Sequence, residues 1–150
     1  MKKSRVTADK GILRVLDANL NRAIEGVRVC EEITRFIIRN PALTLEFKRI
    51  RHRIAACLKG AWRKQAHLLL EARESARDAG RATIVSELNR GGYKDIFFAN
   101  IQRVKESVRV LEEFSKLESK KLSGNFKNIR YDLYQLEKKA TLKLRDIRDH

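Results

Sequence analysis

One helical segment is written twice in this chain. Residues 18–36 read ANLNRAIEGVRVCEEITRF, and residues 99–117 read ANIQRVKESVRVLEEFSKL. Nine of these 19 positions are identical at a constant offset of 81, and all but one of the rest are similar. The segments that follow also agree: FKRIR at 47–51 returns as FKNIR at 126–130, at offset 79. Each unit therefore reads as a long helix, a short turn and a second helix, with two fewer residues in the second connection. A repeated unit that cannot bury its apolar stripe alone buries it against its neighbour. The expected fold is all-α: a helical bundle from two repeated long-helix hairpins with pseudo-two-fold symmetry. It forms a single domain over 1–150, with repeat 1 at about 9–74, a loop at 75–92 and repeat 2 at about 93–148.

Apolar spacing supports this reading. Ile12, Leu16, Leu20, Ala23, Val27, Cys30 and Ile37 step by three, four or seven, which lines one face of a helix from about Asp9 to Arg39. Thr7 or Asp9 is placed to cap it, and Asn40-Pro41 ends it because proline pushes the preceding residue out of the α region. A second helix is expected from Ala42 through Phe47, Ile50, Ile54 and Cys57, with Gly60 as a candidate break. A third runs from Ala61 to about Glu74. Residues 75–92 are turn-rich, and long connections of this kind often carry function. Helical spacing returns from Asp95 to Leu117, and, after Ser123-Gly124-Asn125, from Phe126 to Arg145. No stretch alternates with period two, so no sheet is expected.

The matched positions differ in how strictly they match. Core packing asks only for an apolar residue of suitable size, and the apolar matches drift: Leu20 to Ile101, Cys30 to Leu111, Ile33 to Phe114. Asn19, Arg22, Glu25, Arg28, Glu31 and Glu32 instead return unchanged as Asn100, Arg103, Glu106, Arg109, Glu112 and Glu113. At the helical angle, Asn21, Arg22, Glu25, Arg28 and Glu32 share an arc of about 120°. One reading is an exposed salt-bridge face, since Arg28 and Glu32 are spaced for an intrahelical pair. Exposed pairs contribute only about 0–1 kcal/mol, too little to hold residue identity. The reading carried forward is that side chains from both copies converge on a polar ligand.

The net charge of +15, with 35% charged residues, points to an anionic partner or to a solvated surface, without choosing between them. Cys30 and Cys57 lie among apolar residues and read as core positions. His52, His67 and His150 lack ligand spacing, and neither a zinc nor a nucleophile motif is present. Trp62 and Tyr134 read as packing residues. Neither a phosphate-binding Gly-x-x-x-x-Gly-Lys-Ser/Thr loop nor a Gly-x-Gly-x-x-Gly turn occurs, so nucleotide would have to be held by side chains, helix amino termini and the 75–92 loop. No segment approaches the about 20 apolar residues that span a bilayer, and no signal-peptide run follows the first residues. The expected location is cytoplasmic, with no membrane contact.

The runs LDANLNRAIEGVRVCEE, IRHRI, ARESARDAG and ANIQRVKESVRVLEEFSK, spread from about Arg14 to Tyr134, resemble the monofunctional hydroxymethylpyrimidine phosphate kinases. That family also occurs as a domain fused to the amino terminus of thiamine phosphate synthase. The resemblance implies phosphoryl transfer from ATP to 4-amino-5-hydroxymethyl-2-methylpyrimidine phosphate in thiamine biosynthesis. Its pattern falls on Asn19, Asn21, Arg22, Glu25 and Arg28, then Arg51 and His52, then Arg73, Asp78 and Gly80. In the second unit it falls on Asn100, Arg103, Glu106, Arg109, Glu112, Glu113 and Lys116. Arg73-Glu74 stands where Arg-Asp is usual, and Asp78-Ala79-Gly80 where Asp-Val-Gly is usual. No synthase barrel is present in the 150 residues, so synthase activity is not implied.

Phosphoryl transfer needs positioning and charge neutralisation more than covalent catalysis. On that basis Arg22, Arg103, Arg51 and Arg73 are expected on phosphates, with Lys116 in reserve. Glu25, Glu106 or Asp78 would hold magnesium or orient the attacking hydroxymethyl group. Asn19 and Asn100 would bond the pyrimidine or fix a carboxylate. The expected cofactors are ATP and magnesium, and the expected partner is the small pyrimidine phosphate. One competing reading is a basic helical nucleic-acid-binding module, supported by charge but opposed by 7% aromatics and by Glu mixed with Arg in the repeat. Another is a chorismate-mutase-like helical enzyme acting without ATP. An exposed apolar stripe would also admit a homodimer.

Overall fold

The structure, a computed structural model, describes residues 9–62, 66–83 and 88–147, with side chains for all of these except 58–62 and 66. Helix α1 spans Lys10–Glu32 and ends in a π-helical turn, Ile33–Ile37. Helix α2 spans Pro41–Trp62 and α3 spans Ala66–Ala72. Two short 3-10 turns follow, Ser75–Arg77 and Ala79–Arg81. Helix α4 spans Tyr93–Ser115 and α5 spans Lys120–Leu144. No strand occurs among the described residues, and the fold is all-α as expected.

Local chemistry sets most of the boundaries. The Asp9 carboxylate accepts from the Gly11 amide at 2.6 Å and caps α1, while Thr7 lies outside the described residues. At the other end Arg39 takes the left-handed conformation (φ 55°), which turns the chain. Pro41 then starts α2 in the position where its missing N–H costs nothing, and the Asn40 side chain caps the first turn by accepting from Leu43 at 3.0 Å. Gly60 does not break α2, whose backbone continues to Trp62. The π turn and its left-handed exit absorb the extra residues of the first connection.

The last helix departs from expectation. It begins at Lys120, and Ser123-Gly124-Asn125 lies inside it. Ser119 supplies the missing start signal, its hydroxyl accepting from the Leu122 amide at 3.2 Å. Ser123 is buried and donates to the Glu112 carbonyl at 2.9 Å. Gly124 faces open space, where a helical glycine is tolerated. Tyr134 is exposed, lying beside Arg130 and Lys105, and so is not the packing residue its sequence suggests. The side chain of Trp62 and residue His150 lie outside the described residues.

The contacts α1–α2, α2–α5, α5–α4 and α4–α1 close a ring of four helices, with α3 against α1. Leu16, Leu20, Ala23, Val27 and Cys30 of α1 fill the centre with Phe97, Ile101, Val104, Val108 and Leu111 of α4. Phe47 and Phe97 meet edge to face at 6.1 Å. Cys30 and Cys57 are buried free thiols, and burial pushes both up in pKa.

The two long helices come into close contact at Gly26. A Cβ there would sit 2.6 Å from Val104 Cγ2 and 3.1 Å from the Asn100 carbonyl oxygen. Each hairpin is also tied internally by an ion pair at matching positions. Arg51 Nε donates to Glu31 at 2.8 Å, and Arg130 Nε donates to Glu112 at 2.8 Å. Both carboxylates are buried. Burial alone would raise the Glu31 carboxyl, but hydrogen bonding and charge from Arg51, joined by Arg28, hold it below its ordinary value.

Gly26→Ala is expected to cost about 1–3 kcal/mol, since Val104 or the helix backbone must shift. Gly124→Ala is expected to add up to about 1 kcal/mol, since nothing obstructs the new methyl and alanine favours the helix. Urea unfolding followed by circular dichroism measures both, and equal effects of the two would contradict the packing described. A second prediction concerns pH. Because the folded Glu31 carboxyl titrates below its ordinary 4.5, its stabilisation is present above that pH and is lost as pH falls through the folded value. Glu31→Gln is therefore expected to destabilise by about 1–3 kcal/mol at neutral pH, with the deficit shrinking in acid. A deficit independent of pH would remove the ion pair as its source.

Candidate active site

Two adjoining cavities open beside the α1–α4 crossing. The larger, of about 800 Å³, lies between the outer face of α1 and the segment Arg73–Arg81, with Arg103 of α4 closing one side. The smaller, of about 470 Å³, lies against α4 and carries Asn100, Gln102 and Glu106, with Gly26 and Val29 from α1. Glu25 and Arg103 line both, so they form the wall between them.

The segment after α3 is held over α1 by one ion pair. Arg73 donates from Nε and Nη2 to the two oxygens of Asp17, at 2.8 and 2.7 Å. This bidentate fit raises the Arg73 pKa further. Asn21 Nδ2 adds contacts to the Asp17 carbonyl at 3.0 Å and to its carboxylate at 3.3 Å. Beyond the clamp the Asp78 carboxylate accepts from the Gly80 amide at 2.8 Å, which folds the chain back on itself. Arg77 and Arg81 are thereby brought to the cavity lining.

Nine of the residues expected from sequence come together here. Asn19, Asn21, Arg22, Glu25, Arg73, Asp78 and Arg103 line the larger cavity. Asn100 and Glu106 line the smaller one with Glu25 and Arg103. Asn19 and Asn100 use their Nδ2 atoms identically, each donating at 2.8 Å to the carbonyl four residues earlier. Gln102 donates to one Glu106 oxygen at 3.0 Å.

Six expected residues lie elsewhere and line neither cavity. Arg51 is committed to Glu31. Arg28 pairs with Glu31 and Glu32, each at 3.4 Å, and Arg109 pairs with Glu112 at 3.4 Å and Glu113 at 3.0 Å. Lys116 holds Glu113 at 2.8 Å, which lowers the Glu113 pKa. His52 is exposed on α2. Half of the repeated polar pattern therefore ties each hairpin together, and only the half on the amino-terminal side of the crossing faces the cavities. Arg73 lines the larger cavity with its Nε and Nη2 committed to Asp17, which leaves the Nη1 donors without a bond to Asp17.

Sequence reading passed over Arg14, Asp17, Arg77 and Arg81, all of which line the larger cavity. Arg14 stands seven, eight and eleven residues before Asn21, Arg22 and Glu25, on the same helix face. Arg77 and Arg81 flank Asp78. Asp17 follows the core residue Leu16 and is itself buried, and a carboxylate so placed needs a partner. Arg14, Arg22, Arg77, Arg81 and Arg103 have no carboxylate partner among the described residues. Facing them are Glu25, Glu74 and Asp78. The lining is net cationic around a few carboxylates and amides. No group of three or more His, Cys, Asp or Glu is gathered as a metal cage among the described residues. No helix among them is long and apolar enough to cross a membrane.

Fold and cleft together define an all-α protein with an anion-attracting cleft beside the crossing of two like helices. The chain belongs to the ThiD2 family, which it matches over residues 14–139. It is 41% identical over 127 residues to a thiamine-phosphate synthase of Nostoc punctiforme, covering 84% of this chain and 34% of that protein. It is 39% identical to a thiamine-phosphate synthase of Synechocystis, covering 84% and 35%. The protein of the same name from Gloeobacter violaceus is 36% identical, covering 91% of this chain and 38% of its own length. The chain thus spans about a third of the length of the curated relatives it matches. No solved structure matches it.

Proposed function

We propose that this chain is a hydroxymethylpyrimidine phosphate kinase, transferring a phosphoryl group from ATP to 4-amino-5-hydroxymethyl-2-methylpyrimidine phosphate in thiamine biosynthesis. The observation that carries the reading is the convergence of five arginines, unpaired among the described residues, on two cavities that share Glu25 and Arg103. Membership of the ThiD2 family and relatives named thiamine-phosphate synthase support the pathway.

Two phosphorylated substrates bring much negative charge into one site, and each guanidinium offers paired donors that match phosphate oxygens. Fixed cations cost no reorganisation as charge moves in the transition state. Arg22 and Arg103 would hold phosphate oxygens, and Glu25 would orient the hydroxymethyl group. The hydroxymethyl oxygen attacks the γ-phosphorus, the bond from that phosphorus to the β–γ bridging oxygen breaks, and ADP leaves. The hydroxyl proton passes to Glu25 or to water. Magnesium fits a site of this kind when one or two carboxylates complete a shell made mostly by phosphates and water. Glu25 and Glu106 are the carboxylates that line the smaller cavity together, and the ion would supply charge neutralisation there.

Arg22→Ala and Glu106→Ala are each expected to lose about 100-fold or more in turnover while keeping helical circular dichroism and melting temperature. His52→Ala and Lys116→Ala are expected to leave turnover unchanged. A coupled ADP-release assay with and without the pyrimidine phosphate measures this. ADP release that ignores the pyrimidine phosphate, or near-normal turnover in either of the first two variants, would refute the assignment.

A further inference from the structure

We infer that the site is divided at the Glu25–Arg103 wall: the larger cavity seats the nucleotide polyphosphate on Arg14, Arg77 and Arg81, and Asp17 is the positioning residue that builds this seat. The inference rests on the kinase reading for the identity of the nucleotide.

A triphosphate carries about twice the negative charge of a phosphate monoester at neutral pH. The larger cavity offers Arg14, Arg22, Arg77 and Arg81, all unpaired among the described residues, with the shared Arg103 and the clamped Arg73, and so keeps a cationic excess over Asp17, Glu25, Glu74 and Asp78. The smaller is balanced, with Arg90 and Arg103 against two carboxylates, Glu25 and Glu106, and it adds two amides, Asn100 and Gln102. That mixture of donors and acceptors suits an aminopyrimidine bearing a single phosphate, whose amino group seeks an acceptor and whose ring nitrogens seek donors.

The offset of 81 carries Asn19, Arg22 and Glu25 onto Asn100, Arg103 and Glu106 without change. The same offset carries Arg14 onto Asp95 and Asp17 onto Phe98. Asp95 is spent on the start of α4, where it accepts from the Gly91 amide at 2.8 Å. Helix α4 therefore has neither an arginine at the position of Arg14 nor a carboxylate at the position of Asp17. The shared middle is two-sided, while the polyphosphate seat exists on the α1 side alone.

Arg77 and Arg81 are exposed residues on a segment with only short 3-10 turns. Their anchor to α1 is the fork of Arg73 on Asp17, at 2.7 and 2.8 Å. Release of that fork frees the segment that carries both arginines, without touching Glu25 or Arg103.

Calorimetric titration with ADP and with inorganic tripolyphosphate, alongside steady-state kinetics, tests the division. Arg77→Ala/Arg81→Ala is expected to raise the ADP and tripolyphosphate Kd about tenfold or more, with the KM for pyrimidine phosphate little changed. Asp17→Asn is expected to show the same split, raising the KM for ATP while leaving the pyrimidine phosphate KM in place, and Gln102→Ala the reverse split. Should Asp17→Asn fail to fold, Arg73→Lys keeps the charge, loses the fork and carries the same expectation. Unchanged nucleotide affinity in the double arginine variant, or equal loss of both substrates in it, overturns the division. Equal loss of both substrates in the latch variants overturns the positioning role. The kinase reading fails separately: wild-type protein that binds tripolyphosphate through Arg77 and Arg81 but releases no ADP keeps the seat and loses the kinase.

Discussion

The close approach of α1 and α4 at Gly26 decides where everything else can stand. With 2.6 Å to Val104 and 3.1 Å to the Asn100 carbonyl for a hypothetical Cβ, any side chain larger than hydrogen would force Val104 or the helix backbone to shift. At this distance Arg22 and Glu25 on one helix and Arg103 and Glu106 on the other flank the same crossing. The cavities take their shape from that contact, since Glu25 and Arg103 line both. Helix crossings are fixed by side-chain packing and not by hydrogen bonds, so one small residue at the contact sets the separation.

Beyond the crossing the problem is to keep each hairpin closed without spending the site's own cations. The buried pairs Glu31–Arg51 and Glu112–Arg130 do this on the far half of each long helix. Neighbouring polar groups show how the two copies have parted in detail. In the first, Thr34 donates to the Glu31 carbonyl at 2.8 Å and receives Thr44 at 3.1 Å. In the second, Ser123 makes the bond to the Glu112 carbonyl, and the Ser115 hydroxyl is left buried without a partner. A buried unpaired hydroxyl forfeits about 1–3 kcal/mol, a cost that the second hairpin carries and the first does not.

The repeat made the helices, their order and the central apolar stripe legible before any coordinates, because apolar periodicity and identical offsets report directly on local geometry. It did not separate staples from site. Arg28, Glu31, Arg109 and Glu112 recur as faithfully as Arg22, Glu25, Arg103 and Glu106, and a repeat constrains both sets alike. The distinction lies in which half of each long helix meets an arginine of its own hairpin's second helix, Arg51 or Arg130, a tertiary fact. The start of α5 was missed because Gly124 reads as a stop, and only the burial of Ser123 and the cap at Ser119 show that the helix runs through it. Arg77 and Arg81 were missed for a different reason. They occupy a loop without periodicity, and their place depends on a contact between residues 56 apart in sequence, Arg73 and Asp17.

The two copies differ by position along the long helix. Nearest the crossing they share their polar residues, Asn19, Arg22 and Glu25 against Asn100, Arg103 and Glu106. Two turns earlier they disagree in charge and in kind, Arg14 against Asp95 and Asp17 against Phe98. The connection that follows α3 then adds Arg73, Arg77 and Arg81 on the α1 side. The inequality of the two cavities has a physical origin in the clamp: the fork of Arg73 on Asp17 fixes the connecting chain to the α1 side, so Arg77 and Arg81 line the larger cavity and not the smaller.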